Sequence, residues 1–477
     1  MSVVGRKPGD RRVRVARTKP EEFKLAPLRR APRPISPSTS LLVAFAILIG
    51  LGTAVLATPL ATADGSWSPF TTALFTATSA VCVTGLVVVD TGTHWSPFGH
   101  VVILVLIQAG GFGIMTGSTL LLLLLTGRRT TLRDRILVQE SLGGGLELGG
   151  VMKLVGRIAL FTLVAEAIGA LVLGVAFALH DEVGGVQRGA WWGLFHSISA
   201  FNNAGFDLIG GFRSFTPFVH DWVILLTIGI LLSLGGLGYA IVGDAVGKRR
   251  WSRFSLETKI VLVTTVALLL GGTVLIGATE WANPQTLGAL PPEQRIMNAA
   301  FESATLRTAG FTALDTGAFV EASLFVVMAL MFIGGASGST AGGIKVNTFG
   351  LLGATILSTL RGRPSAEAFG RRIPHAIIYR ALVIVLLAIA WVFVIGLGLT
   401  LTSGSATFVQ ALFEAVSAFG TVGASTGITP GLGEAARYIL VVAMFVGRLG
   451  PLTLALALSA RARPVPYRPA VETIRIG

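Results

Sequence analysis

The sequence predicts an all-α integral membrane protein: four tandem helix–pore-helix–loop–helix repeats around one central pore. Three observations predict it, namely the composition, a unit that recurs four times, and the placement of charge. The 477 residues are 52% hydrophobic and 13% charged, with a mean hydropathy of +0.74. A soluble domain carries about 25% charged residues, so too few remain here to cover a water-facing surface. The one cysteine, Cys82, excludes a disulfide framework within the chain and a Cys-based zinc site.

The recurring unit is a Phe, a small hydroxyl-rich stretch, then a lone Gly. Its copies run Phe75 to Gly85, Phe195 to Gly205, Phe301 to Gly310 and Phe413 to Gly423, with Phe-to-Gly spacings of ten, ten, nine and ten. Each lies between two long apolar stretches, and such self-similarity decides architecture before any single residue does. Four short re-entrant segments around one axis can line a pore, which points to an ion-conducting protein.

Charge is placed asymmetrically. Eleven Lys/Arg against three acids fill the first forty residues. Further basic clusters are Arg128/Arg129/Arg133/Arg135, Lys248/Arg249/Arg250/Arg253, Arg361/Arg363/Arg371/Arg372 and Arg461/Arg463/Arg468/Arg475. The opposite connections hold only Arg188, Arg213, Arg295 and Arg437. This positive-inside pattern places both termini in the cytoplasm. A net charge of +14 carried this way reads as a membrane-surface feature and not as nucleic-acid binding.

A span needs ~20 apolar residues. The stretches 41–60, 98–125, 152–179, 217–243, 258–279, 319–360 (interrupted), 376–401 and 435–460 qualify. Between members of each pair lie 69–80, 188–201, 292–305 and 405–418, too short to cross and too apolar for free loops. Half-helices that enter and return fit them, since non-helical backbone at depth must be buried or line water. The organisation is a basic tail 1–37, repeats at 38–126, 150–246, 256–360 and 375–461, and a tail 462–477. Each outgoing helix carries a glycine cluster: Gly110-Gly111-Phe112-Gly113, Gly235-Gly236-Leu237-Gly238, Gly334-Gly335-Ala336-Ser337-Gly338 and Gly447-Arg448-Leu449-Gly450. These suit close packing and bending.

A permeating potassium ion must exchange its water for backbone carbonyls held in a ring, and such a loop needs glycine's conformational freedom. Gly85, Gly205, Gly310 and Gly423 meet that need. Four pore-helix C-termini aimed at the cavity add partial negative charge.

These residues also carry a resemblance. Ser79–Gly85 (SAVCVTG), Ser199–Phe206 (SAFNNAGF), Thr305–Phe311 (TLRTAGF), Ser417–Gly423 (SAFGTVG), Gly334–Lys345 (GGASGSTAGGIK) and Gly447-Arg448-Leu449-Gly450 resemble the Trk/Ktr/HKT superfamily of potassium transporters, in particular its bacterial Ktr membrane subunits. The resemblance covers about residues 40 to 477. It implies a potassium-channel-like fold and a selectivity filter made of Val83, Thr84, Gly85, Asn203, Ala204, Gly205, Thr308, Ala309, Gly310, Thr421, Val422 and Gly423. It implies potassium as the transported ion, with sodium as a coupling or activating ion, and no other cofactor. Gly85 at the first filter position goes with potassium preference. A homodimer with one pore per subunit and a cytosolic nucleotide-binding RCK-type (KtrA-like) ring as gating partner are implied in the same way. The long basic N-terminal tail departs from the family.

The resemblance also implies an intramembrane gate in the Gly334–Gly343 stretch, and the residues agree. Gly334, Gly335, Gly338, Gly342 and Gly343, with Ser337, Ser339 and Thr340, cannot hold a stable helix mid-span. Lys345 follows and is expected to face an inner vestibule. Arg448 lies mid-span, where a charge costs ~2.5–3.5 kcal/mol, and is expected in the permeation path, bonded to gate carbonyls. Glu302, Glu414 and Glu166 are expected to be buried with hydrogen-bond partners, and Arg307 to brace the third loop. Asp90-Thr91-Gly92 and Asp315-Thr316-Gly317 match the triplets of an aspartic peptidase. Their place five residues after a filter Gly puts them instead at the outer mouth, where acids concentrate cations. Rival functions are conduction of sodium or another cation by the same architecture, and an alternating-access secondary transporter. An enzyme is not expected.

Overall fold

The computed structural model of the chain describes residues 37–113, 151–404 and 406–450. Residues 1–36, the Arg128–Arg135 cluster and the tail 462–477 lie outside the described residues. So do the ends of the expected spans 98–125 and 435–460.

One element order recurs four times. The first unit is α1 (Pro37–Leu56), the short α2 (Phe70–Val81), a one-turn α3 (Thr91–His94) and α4 (Pro97–Phe112). The second is α5 (Val151–Ala178), the short α6 (Val186–Phe201) and α7 (Trp222–Lys248). The third is α8 (Leu256–Glu280), the short α9 (Pro292–Thr305) and an outgoing helix split into α10 (Glu321–Met331) and α11 (Val346–Leu360). The fourth is α12 (His375–Thr402), the short α13 (Phe408–Gly420) and α14 (Glu434–Leu449). A hairpin of β1 (Glu367–Ala368) and β2 (Arg371–Arg372), with Glu367 opposite Arg372, joins α11 to α12. Among the described residues four helices are long and apolar enough to cross a membrane: Val155–Ala178, Trp222–Lys248, Leu256–Glu280 and His375–Thr402.

Local chemistry sets the boundaries. Asp221 accepts from the Val223 and Ile224 N–H groups at 2.8 and 3.0 Å and starts α7. Ser96 accepts from Gly99 N–H ahead of Pro97 and starts α4. Thr407 and Gln410 form a capping box on α13. In each case a side-chain oxygen takes a donor that the first turn leaves unpaired.

The short helices are enclosed. Phe75, Phe195 and Phe413 are fully buried and Phe301 nearly so. Each short helix packs on the incoming helix of its own unit, and each outgoing helix packs on the short helix of the next. The cross-unit pairs are α4 with α6, α7 with α9, α10 with α13, and α14 with α2. The last pair closes the circle, so the four units surround one axis in chain order.

The glycine clusters have two uses. Gly110, Gly235 and Gly447 lie so close to the carbonyls of Val81, Phe201 and Phe419 that a Cβ at any of them would overlap that backbone. The outgoing helices therefore touch the C-terminal ends of their own short helices through bare Cα atoms. The last glycine of the cluster leaves the helical region in three units, with φ of +74° at Gly238, +75° at Gly338 and +82° at Gly450. Gly238 breaks α7 there, so the expected bend is found.

Gly235→Ala and Gly447→Ala should each lower the apparent melting temperature of the purified protein, because overpacking against backbone costs ~1–3 kcal/mol. Gly229→Ala in the same helix α7 faces open space and should leave the melting temperature unchanged or raise it, alanine being the better helix former by ~1 kcal/mol. Equal losses at all three sites would show that close approach is not the cause.

Candidate ion pathway

The four repeated glycines meet. Their φ values are +87° at Gly85, +72° at Gly205, +69° at Gly310 and +94° at Gly423, a region that L-residues resist. A Cβ on Gly85 would overlap the Ala204 carbonyl oxygen, one on Gly205 that of Ala309, one on Gly310 that of Val422, and one on Gly423 that of Thr84. Each glycine thus sits against the residue that precedes the next glycine, and the fourth returns to the first. The expected filter residues are therefore brought together as one closed ring of backbone.

The ring is held from behind. The N–H before each glycine donates to a backbone carbonyl near the end of its short helix: Thr84 to Ser79 at 2.8 Å, Ala204 to Ser199 at 2.7 Å, Ala309 to Thr305 at 2.8 Å and Val422 to Ser417 at 2.9 Å. The Ser79 and Ser417 hydroxyls also accept from Gly85 and Gly423 N–H. Donors are spent inward and acceptors are not. Among the described residues no hydrogen bond is donated to a carbonyl of Val83–Gly85, Asn203–Gly205, Thr308–Gly310 or Thr421–Gly423. Unpaired buried carbonyls are costly unless something else satisfies them, and a dehydrated cation is one such partner.

Three units reach their glycine through a non-glycine residue at positive φ: Val83 at +55°, Asn203 at +59° and Thr421 at +49°. The third unit has no such residue, and its Phe-to-Gly spacing is one shorter. Its loop turns directly off α9, with Gly310 N–H also donating to Thr305 at 3.1 Å.

On one side the ring opens into a cavity of about 420 Å³ lined by all four glycines. In three of the four units the residue after the Phe bonds the chain that leaves the ring. Glu302 accepts from the Ala313 and Leu314 N–H groups at 2.8 and 3.1 Å. Glu414 accepts from Ser425, Thr426 and Thr429. His196 takes the same role in the second unit, accepting from Leu208 N–H at 3.2 Å. Leu208, Ala313 and Thr426 all stand three residues after their glycine. Glu166 accepts from Gln108 and Asn202. The buried-and-bonded expectation therefore describes all three glutamates. His196 was not singled out from the sequence, where its alignment with Glu302 and Glu414 was the available signal.

The acidic mouth differs from expectation. Asp315 lines the cavity, but the second carboxylate there is Asp207, and Asp90 is not among the lining residues. Asp90 is consumed by the N–H groups of Thr93 and Phe212, at 2.9 and 2.8 Å, and by the Thr93 hydroxyl. Arg213 shares the cavity wall. Asp90 and Asp315 share no hydrogen bond, so the paired carboxylates of a peptidase are absent among the described residues. Arg307 is buried, but no hydrogen bond or ion pair of its side chain is found among the described residues, so the bracing expected of it is not seen.

On the other side of the ring lies the glycine-rich stretch between α10 and α11. It contacts residues that precede the ring glycines. Ala336 and Thr340 N–H donate to the Gly236 and Gly235 carbonyls at 2.8 and 3.2 Å. Thr340 Oγ1 donates to Asn203 Oδ1 at 2.7 Å, and Asn203 Nδ2 to Thr308 Oγ1 at 3.0 Å. Gly342 and Gly343 press on Thr421 and Gly420. From α14 the buried Arg448 donates through Nη1 to the Thr340 carbonyl and through Nη2 to the Gly110 carbonyl at 2.9 Å. The expected gate residues thus form one assembly under the ring, tied to the second, fourth and first units. Ser337 and Ser339 shape the loop itself, through Asn347 to Ser337 N–H and Ser339 to Ala341 N–H. Gly334 N–H donates to Ile344, and Lys345 Nζ turns back to the Ala341 carbonyl.

Fold and site together define an all-α multi-pass membrane transporter, not an enzyme. A sequence model of the TrkH family, described as a cation transport protein, matches residues 29–463, and the chain belongs to that family. It is 40% identical to Ktr system potassium uptake protein B of Bacillus subtilis over 419 residues, 88% of this chain and 92% of that one. Identity to the protein of the same name from Vibrio alginolyticus is 40% over 411 residues, 85% and 88% of the two chains. The potassium/sodium uptake protein NtpJ of Enterococcus hirae is 36% identical over 454 residues, 94% and 99%. The crystal structure of the potassium transporter TrkH from Vibrio parahaemolyticus shares the fold, with a TM-score of 0.68 over 90% of this chain and 86% of that one at 19% identity.

The Thr340–Asn203 bond can be measured. Thr340→Val and Asn203→Leu should each lower the melting temperature, and the double variant should lose less than the sum. The coupling expected for one buried hydrogen bond is about 0.5–1.5 kcal/mol. Strict additivity would mean that loop and ring are not joined there.

Proposed function

We propose that this chain conducts potassium into the cell through the ring of four glycine loops. The observation that carries this reading is the closed ring whose carbonyls have no protein donor among the described residues. The names of the relatives, potassium uptake proteins of Ktr systems, support the same ion. The potassium/sodium name of NtpJ supports sodium as a coupling or activating ion. The repeats 38–126, 150–246, 256–360 and 375–461 each supply one quarter of the pore. Val83–Gly85, Asn203–Gly205, Thr308–Gly310 and Thr421–Gly423 supply the carbonyls that replace water, and the 420 Å³ cavity is the outer vestibule. Asp207 and Asp315 raise the local cation concentration there.

The glycine-rich stretch is the gate. Its loop lies under the ring, has little intrinsic helicity, and is clamped by Arg448. The protein acts as a homodimer in the bacterial inner membrane, with both termini cytoplasmic. A cytosolic nucleotide-binding RCK-type ring (KtrA-like) moves the gate.

The decisive experiment is potassium uptake in a strain stripped of its own potassium systems, followed by rubidium flux with sodium competition in proteoliposomes. Gly85→Ser and Gly310→Ser should insert normally and lower the preference for potassium over sodium by about tenfold, equivalent to ~1.4 kcal/mol. Gly310→Ser should be the more severe, because its Cβ would lie closer to the Val422 carbonyl oxygen than a Cβ on Gly85 would to that of Ala204. Unchanged selectivity at all four glycines would falsify the filter assignment.

Arg448→Gln tests the gate. It removes one clamp on Thr340 and a cation that repels the permeating ion by about 2.8 kcal/mol at ~6 Å and an effective dielectric of 20. Flux per folded dimer should rise. Poor folding with unchanged flux per folded protein would make Arg448 a packing anchor alone.

A further inference from the structure

A second site lies away from the pore, where α8, α11 and α12 meet. Residues of all three helices enclose a groove of about 420 Å³. Its walls are apolar, with Ile260 from α8, Leu351 from α11, and Ile377 and Ile384 from α12. Its rim carries Arg372 and Arg380. Both are exposed, and neither side chain has an ion pair or hydrogen bond among the described residues. The acid at the groove, Glu257, is engaged by Asn347 Nδ2 at 2.5 Å. Two guanidinium groups against one carboxylate leave the rim with a net positive charge above an apolar slot.

The surroundings resemble a membrane–water boundary. Trp251 and Phe369 are 47% and 46% exposed. Their rings lie 5.9 Å apart, Phe254 lies 5.7 Å from Trp251, and Lys259 sits over the Trp251 ring at 5.9 Å. Aromatic rings gather at headgroup depth. The hairpin carrying Arg371, Arg372 and Phe369 is anchored by Ala366, Ile373 and Ile378, packed on Leu256 and Leu351. Arg372 is thereby fixed at the head of the slot and not on a free loop.

We infer that this groove binds one anionic membrane phospholipid, with its phosphate between Arg372 and Arg380 and an acyl chain along Ile377 and Ile384. Charge complementarity selects the occupant. A wholly apolar ligand would leave two guanidinium groups unused, and an acidic peptide would leave the apolar slot unfilled. Basic pockets between membrane helices on the cytoplasmic side suit such headgroups. The inference rests on the membrane orientation proposed above and is independent of which ion the pore conducts.

The test is native mass spectrometry of the full-length, delipidated protein with phosphatidylglycerol or phosphatidylcholine of identical chains. The wild type should retain phosphatidylglycerol at least tenfold more than phosphatidylcholine. Arg372→Gln with Arg380→Gln should abolish that preference. Arg363→Gln, whose partner is Glu367 at 2.6 Å, should not. Ala381→Trp, which fills the slot, should remove both lipids while the protein stays folded. Equal retention of the two lipids by the wild type, or a preserved preference in the double variant, overturns the inference. So does an equal loss in Arg363→Gln, which would mean nonspecific surface charge. Efficient cross-linking of an Ile377→Cys variant to a second copy in membranes would make the groove a subunit interface and also overturn it. None of these readouts involves flux, so failure here leaves the conduction reading standing, and the reverse.

Discussion

The contact on which the rest depends is backbone on backbone. Each ring glycine lies where its Cβ would strike the carbonyl of the neighbouring loop, at a φ that L-residues avoid. Two separate demands, for space and for conformation, fall on the same four residues. Either could be met elsewhere by a local turn. Both together, at four positions that contact one another in sequence, require the chain to bring four distant segments onto one axis. The helices can be understood as the means of doing so.

Each layer behind the ring serves that contact. The backbone carbonyls of Ser79, Ser199, Thr305 and Ser417 draw the N–H groups backward, and among the described residues no donor turns to the ring carbonyls. The short helices are held by outgoing helices that approach through Gly110, Gly235 and Gly447, so that helix ends and ring are set by the same packing. Glu302, Glu414 and His196 then pin the strand that leaves the ring. A carboxylate at such depth is expensive alone. Here it accepts two or more hydrogen bonds, which offsets part of that cost.

The architecture was legible because repetition is legible. Four Phe-to-Gly units between paired apolar stretches predicted the short helices to within a few residues, and the helix-breaking run at 334–343 predicted the split of the third outgoing helix. What remained hidden were facts of partnership. Asp90 and Asp207 are both acids a few residues beyond a glycine. Asp90 is taken up by the nearby Thr93 and by the distant Phe212 N–H, while Asp207 lines the cavity. Val83 and Thr421 are β-branched and would not be chosen for positive φ, yet packing holds them there. The Thr340–Asn203 bond joins residues 137 positions apart, and neither side chain is unusual by itself.

The third unit departs from the others twice. Its loop lacks the positive-φ residue before the glycine, and its outgoing helix is interrupted. The second departure has a geometric cause. Four equivalent loops can share an axis only if they leave its centre open, and an element that closes the centre cannot itself be fourfold. It must come from one unit, and the other three must receive it. The contacts follow that pattern: Gly235, Gly236 and Asn203 of the second unit and Thr421 and Arg448 of the fourth hold the stretch, while Gly110 of the first holds Arg448. In the proposed reading, a symmetric ring sets how a cation is recognised, and an asymmetric insertion beneath it sets when the path is open. Both are written into one chain because tandem repeats, unlike identical subunits, can differ at a single place.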